Sequence, residues 1–485
     1  MVRAPAGVYL RRVNRRPTSL LLATVLSLGL VAPAATVQAE QVAPPVVGAS
    51  GIGDPYWPLD GNGGIDVASY RIDNTYRLRT GRLKGRTTIT LTATEDLSRF
   101  SLDFLLGVRS VTVDGRPAAH DQSRDPHELD ITPAAPLARG SVHSVVVTYS
   151  DVPERHRYAG EMNWLSNRNE VVAMNEPHMA TWWFPSNDHP TDKALVDISV
   201  TVPRGNQVVA NGKLVKRTTR RKTTTWRWRA DEPMATYLAF FAAGRFDVRS
   251  GTTSDLPWVV AVSERLGPQT RRKAMRLVRS SAAVAKGLEK DLGPYPFSTT
   301  GGLVTALNSG FALENQTRPT YGAWISKDVV VHEIAHQWFG NHVAVSRWRD
   351  IWMNEGFASF MEWRWTETHG GPTAARQLST FYDAIPASSD FWQLHIGDPG
   401  SPRVFDWAVY QRGAMTLQAL RNRIGDQAFW RLLRTWLQRK GGGNGSSAEF
   451  EALAEEVSGV DLDAFFTTWL RTSARPARTP ENGLG

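Results

Sequence analysis

His332-Glu333-Ile334-Ala335-His336, followed 19 residues after His336 by Glu355 in Asn354-Glu355-Gly356, is the most informative stretch of this 485-residue chain. The run 326–339 reads as a helix with a serine cap and a Gly340-Asn341 stop. Residues four apart share one helix face, so His332 and His336 can meet one ion. Glu333, between them, can reach a water on that ion. A second helix is predicted over 352–369, ended by Gly370-Gly371, with Glu355 in its first turn. The connector 343–349 lets the two helices lie side by side, so that Glu355 faces the imidazoles. Two neutral imidazoles, one carboxylate and a position open to water suit zinc.

Cysteine is absent, which excludes a disulfide framework, a thiol nucleophile and a Cys-ligated zinc or iron–sulfur site. Any metal must therefore be held by His and carboxylate. Hydrophobic residues make up 41% of the chain and charged residues 21%, enough apolar surface to exclude a disordered or collagen-like chain. Around the metal motif the second half is helical. The segment 269–292 reads as one long amphipathic helix stopped by Gly293-Pro294, and a strand at 302–307 follows. Further helices are predicted at 409–424 and 426–440, with short ones at 450–457 and 462–470. The first half has a different texture. Residues 86–94, Arg-Thr-Thr-Ile-Thr-Leu-Thr-Ala-Thr, alternate as a half-buried strand does. Strands are also predicted at 142–149 and 194–202, and turns at Asp114-Gly115 and Asn211-Gly212 punctuate them. The fold class is α+β: an antiparallel β domain over 54–246, then a mainly helical domain over 247–476. A flexible lead-in at 40–53 and a disordered tail at 477–485 are expected, and the 18 tryptophans read as core.

The formal net charge of +9 suggests an anionic partner at first sight. Five of the positive charges, Arg3, Arg11, Arg12, Arg15 and Arg16, precede a largely apolar run at 20–31 and a small-residue site ending Val37-Gln38-Ala39. That is the pattern of a secretory signal peptide over 1–39, cleaved after Ala39, and it implies a secreted protein. Arg15-Arg16 followed by Pro17 leaves open whether export is Sec or twin-arginine. Without the leader the charge falls to +4, and no later segment has the roughly 18 apolar residues of a membrane span. The segment 213–229 carries eight basic residues and no acid; alternation with Thr and Trp reads as a solvated hairpin, so no nucleic-acid partner is expected.

The metal motif in its Asn354-Glu355-Gly356-Phe357-Ala358 context resembles the signature of the aminopeptidase N family of zinc metallopeptidases (gluzincins), which includes leukotriene A4 hydrolase. Residues 60–67, the stretch Trp183-Phe184-Pro185 to Pro190, residues 236–240 and residues 292–297 are similar to other family segments in the same order. The resemblance implies a saddle-like N-terminal sheet domain and a thermolysin-like catalytic domain, in a short two-domain form. It implies that His332, His336 and Glu355 hold one zinc ion. Phe311-Ala312-Leu313-Glu314-Asn315 stands where the family has Gly-x-Met-Glu-Asn. By resemblance, Glu314 binds the substrate's α-amino group and the strand carrying Ala312, Leu313 and Asn315 pairs with the peptide. Glu176, nine residues before Pro185, matches the family's second amine-binding position. Tyr410, in Val409-Tyr410-Gln411-Arg412-Gly413-Ala414, matches the tyrosine that donates to the tetrahedral oxyanion. Glu362, seven residues after Glu355, either orients a zinc-bound His or makes a surface ion pair.

Together these readings describe a secreted zinc aminopeptidase acting on peptides with a free N-terminus, with Glu333 as general base. A zinc endopeptidase or other hydrolase on the same site and a non-catalytic binding module are the alternatives. Substrates with blocked N-termini separate the first, and metal analysis the second.

Overall fold

The computed structural model describes residues 44–123 and 127–485. The expected leader and its cleavage site after Ala39 lie outside the described residues. The first half is built on a strand at Ile65–Arg77 whose residues alternate between core and surface, as the period of two demands. It pairs antiparallel with Arg82–Ala93 on one side and in parallel with Leu195–Pro203 on the other. These strands lie within an eleven-stranded sheet, and a four-stranded sheet contains Val171–Ala173 and Phe241–Gly244. Only short 3₁₀ turns interrupt the strands among the described residues up to Gly244. The exposed strand Lys213–Thr219 and its partner Thr223–Arg229 form the predicted basic hairpin.

The second half begins with the strands Phe246–Thr253, Leu256–Ser263, Thr300–Val304 and Thr320–Tyr321, the last three mutually parallel. Helices α1 (Pro268–Val278) and α2 (Ser281–Leu292) divide what the sequence suggested was one helix. Ser280 and Ser281 accept this break by turning their hydroxyls back onto the carbonyls of Leu277 and Val278. The central helices are α3 (Lys327–Ala335), α4 (Trp352–Thr368), α5 (Ala374–Ala384), the short α6 (Asp390–Gln393) and α7 (Trp407–Ile424). Then come α8 (Asp426–Lys440), α9 (Ser447–Ser458) and the single turn α10 (Asp463–Phe466). Neither α5 nor α6 was anticipated. Trp182, Trp228, Trp348 and Trp469 are among the largest fully buried side chains, in keeping with a core role, whereas Trp324 and Trp407 are exposed and depart from that expectation.

Two terminal expectations are corrected. Within the expected lead-in, Val46 and Val47 pair with Leu97 and Arg99, and the Gly48 amide donates to the Arg99 carbonyl at 2.9 Å. The expected disordered tail is packed: Asn422 donates to the Gly483 carbonyl at 2.9 Å, and Trp469 to that of Asn482 at 3.1 Å. Both segments are rich in small residues, proline and glycine, so composition hid the backbone partners that order them.

The halves are joined by polar ties at their seam. Lys193 donates to the carbonyls of Asn341, His342 and Gly443 at 2.8–3.0 Å. Burial with no carboxylate beside it pulls the ammonium down to about 7. Asn211 donates to both Leu238 and Gln316 carbonyls at 2.9 Å.

Helices α4 and α7 cross at Gly356 and Gly413. A Cβ on Gly413 would lie 2.7 Å from the Gly356 Cα, so only glycine allows this approach. Gly356 follows Glu355 directly, so the crossing sets where that carboxylate sits. We predict that Gly413→Ala destabilises the fold by about 1–3 kcal/mol through overpacking. Urea denaturation monitors it, and an unchanged midpoint would show that the helices can part freely.

Candidate active site

Ser326 caps α3 by accepting the Val329 amide at 3.3 Å, and the helix ends with His336 as its C-cap. Its cleft-facing side therefore carries His332 and His336 one turn apart, beside Glu355 from the first turn of α4. The two Nε2 atoms stand 3.0 Å apart, and Glu355 Oε2 lies 3.2 Å from one and 3.4 Å from the other. Both rings are oriented from behind. His332 Nδ1 donates to Glu362 Oε1 at 2.7 Å, and His336 Nδ1 to the Phe339 carbonyl at 3.1 Å. Since carboxylate and carbonyl only accept, each neutral ring must carry its hydrogen on Nδ1 and point a lone pair inward. Two lone pairs and a carboxylate at these distances require a positive charge between them. Tetrahedral zinc with bonds of about 2.0–2.1 Å holds its ligands about 3.3 Å apart, which matches this triangle. Glu362, left open by the sequence, thus orients His332.

Protonation follows the same crowding. Burial alone would raise Glu355, but His336 and His332 outweigh it and hold it at about 2. Burial alone would lower His332, yet Glu355 and Glu362 keep it well above its usual range. Glu333 is pushed up to about 8 by burial, partly offset by the two imidazoles. Its carboxylate lies in a cluster with Glu314 and His336.

The cleft around this triangle has a volume of about 440 Å³. Glu176, half-buried, and Glu314, buried, both line it, and each has one buried carboxylate oxygen, Oε1, without a hydrogen-bond partner among the described residues. Burial and the charge of Glu314 push Glu176 well above the ordinary carboxylate range. Tyr410 stacks near His332, with ring centroids 6.0 Å apart and planes 20° from parallel. Burial and the charge of Glu355 keep its phenol protonated, as a hydrogen-bond donor must be.

Among the residues expected to bind substrate, Ala312, Leu313 and Glu314 line the cleft, with Leu313 bridged to Thr320 at 2.8–2.9 Å. Asn315 does not. Its side chain is buried away from the cleft and donates to the Leu238 carbonyl at 3.3 Å. Three features escaped the sequence reading. Tyr237 is buried beside Glu314, Glu176 and Glu355, but nothing set it apart from core aromatics. Phe311, Trp324 and Phe405 are part-exposed on the cleft wall. Finally, Asp60 Oδ2 lies 2.7 Å from His178 Nε2, with Glu161 on the other ring nitrogen at 3.4 Å. Asn175 ties Glu161 to the same loop, so this network braces Glu176.

Residues 67–238 match the Peptidase M1 N-terminal domain, and residues 300–469 the Peptidase family M1 domain. The chain belongs to peptidase family M1. Among family members, it is 27% identical over 347 residues to aminopeptidase M1-D of Oryza sativa subsp. japonica, covering 66% of this chain and 39% of that protein. It is 25% identical over 360 residues to aminopeptidase N of Lactococcus lactis subsp. lactis, covering 68% of this chain and 41% of that protein. The chain thus spans about two fifths of the length of these curated relatives. The M1 zinc metallopeptidase of Deinococcus radiodurans, solved as a mutant bound to a Tyr-Ser-Ala substrate, superposes with a TM-score of 0.80 at 26% identity. That match covers 88% of this chain and 99% of the other. Among the described residues no helix is long and apolar enough to cross a membrane.

The brace beneath Glu176 should be visible in the pH dependence of stability. Burial alone would lower His178, but Asp60 outweighs it and raises the imidazole from 6.5 to about 10. A group raised on folding contributes fully below its unfolded value, and the contribution fades as pH climbs toward the folded one. The melting temperature of the wild type should therefore fall more steeply between pH 6.5 and about 10 than that of His178→Asn. Parallel profiles would refute the ionic brace.

Proposed function

We propose that this chain is a secreted zinc-dependent aminopeptidase that releases the N-terminal residue from peptides with a free α-amino group. The observation that carries the reading is the pair of carboxylates, Glu176 and Glu314, each with a buried, unpartnered oxygen beside the His332–His336–Glu355 triangle. A buried carboxylate pair without a counter-charge is unfavourable, and an ammonium group is the ligand that relieves it. A substrate held there by its N-terminus presents its first peptide bond toward the triangle. An acylated N-terminus would leave both carboxylates unpaired and bind far less well.

His332, His336 and Glu355 would hold the zinc ion, which when bound polarises a carbonyl and lowers the pKa of a water. Glu333 accepts the proton of the attacking water and passes it to the leaving amine. Tyr410 donates to the oxyanion of the tetrahedral state. Glu362 and the Phe339 carbonyl keep the imidazole lone pairs aimed inward. No side chain acts as a nucleophile, so no covalent enzyme intermediate forms. Secretion is inferred from the basic, then apolar, then small-residue order of the first 39 residues.

Glu333→Ala should keep its metal, read by elemental analysis, while losing hydrolysis of aminoacyl arylamides. Unchanged turnover in that variant would sink the assignment. Tyr410→Phe should lower kcat by about 10²–10³-fold, the usual effect of removing one oxyanion donor. A peptide and its N-acetylated form, assayed side by side, test the amine anchor; equal cleavage of the two would point to an endopeptidase instead.

A further inference from the structure

Away from the cleft, Arg77, Arg79, Arg168, Lys222, Arg245 and Arg265 line a concave trough of about 710 Å³. They come from five separate segments, each at the end of a strand or in a turn that follows one. No carboxylate is among the lining residues. Among the described residues none of the six forms an ion pair; the one side-chain hydrogen bond is from Arg265 to Asn169 Oδ1 at 2.7 Å. The buried Glu170 lies near Arg265, but its oxygens are taken by Ser263, Thr305 and the Ala306 amide. The other five cations have no carboxylate within ion-pair distance; like charges facing one concavity repel one another, and an anion bound there removes that repulsion.

The lining narrows the chemistry of the anion. Five of the six cations are guanidinium groups, whose planar forks match phosphate oxygens two at a time. Tyr76, the aromatic residue of the lining, is fully buried, so no exposed ring is available for bases to stack on. Leu78 and Val202 are also buried, which leaves no large apolar side chain to enter a membrane. The trough continues through the shared Thr201 and Thr223 into a second groove that adds Lys216 and Arg220. Such a continuous track suits a chain of charges better than a single phosphate. We infer that this trough binds a linear polyanion of phosphate or phosphodiester units without bases, docking the protein on such a polymer. It shares no lining residue with the cleft, so docking leaves the candidate active site open. The inference does not depend on the peptidase reading.

The test uses the purified full chain and fluorescently labelled long-chain inorganic polyphosphate, with binding read by anisotropy at physiological ionic strength. One variant combines Arg79→Glu, Arg168→Glu and Arg245→Glu. A control with the same charge change combines Arg272→Glu, Lys273→Glu and Arg276→Glu on α1, outside the trough. The wild type should bind saturably and increasingly weakly as salt is raised. The trough variant should lose about tenfold or more in affinity, with the control staying within about threefold of wild type. Melting temperature and arylamide turnover should be unchanged in both. Equal losses in the two variants would show a mere net-charge effect and overturn the site. So would the absence of saturable wild-type binding. Tighter binding of single-stranded DNA or of phosphatidylglycerol vesicles than of polyphosphate would overturn the ligand class, and orthophosphate competing as well as polyphosphate would overturn the polymer. If the triple trough variant fails to fold, Arg79→Gln and Arg168→Gln singly carry the same comparison, each expected to weaken binding by a smaller factor.

Discussion

Two imidazole nitrogens facing each other at 3.0 Å, with a carboxylate oxygen at 3.2 and 3.4 Å, are the constraint around which the second half of the chain is arranged. Lone pairs cannot approach in this way without a positive charge between them. Each ring is locked by its other nitrogen, His332 by Glu362 and His336 by the Phe339 carbonyl, so the geometry is imposed from behind. Helix α4, which carries Glu355, is held in turn by its glycine crossing with α7. That crossing also brings Tyr410, from the first turn of α7, against His332.

Charge is strongly segregated over the molecule. The cleft gathers Glu176, Glu314, Glu333, Glu355 and Glu362 with no lysine or arginine in its lining. The trough gathers six cations with no acid. Burial in this acidic cleft raises Glu176, Glu314 and Glu333 and favours cationic ligands, a divalent ion at one end and an ammonium group at the other. The opposite sign on a separate surface can serve attachment without disturbing the chemistry.

Much of this was legible in the sequence. That His332 and His336 share one face of α3 was readable because i,i+4 spacing on a helix is a geometric rule, and the absence of cysteine removed competing metal chemistries. The change from alternating to helical texture near Phe246 was readable for a similar reason, since periodicity reports burial. The split between α1 and α2 was not, because serine hydroxyls turning back on the chain leave no hydrophobic signature. The packed tail was missed because its order comes from hydrogen bonds to Asn422 and Trp469, which no local pattern announces.

The sequence by itself determined which residues can chelate and which helix presents them, since both are local consequences of spacing and residue chemistry. It also marked Glu314 and Tyr410 through their surrounding motifs. Only the tertiary structure decided that Glu176, from the first half, meets Glu314, from the second, with their unpartnered oxygens in one cleft. Only it decided that Asn315 turns away, that Glu362 orients His332, and that Arg77, Arg168, Lys222, Arg245 and Arg265 share one concavity. These are contacts between segments far apart in the chain. Their formation depends on strand order and helix crossing, for which a linear sequence carries no periodic signal.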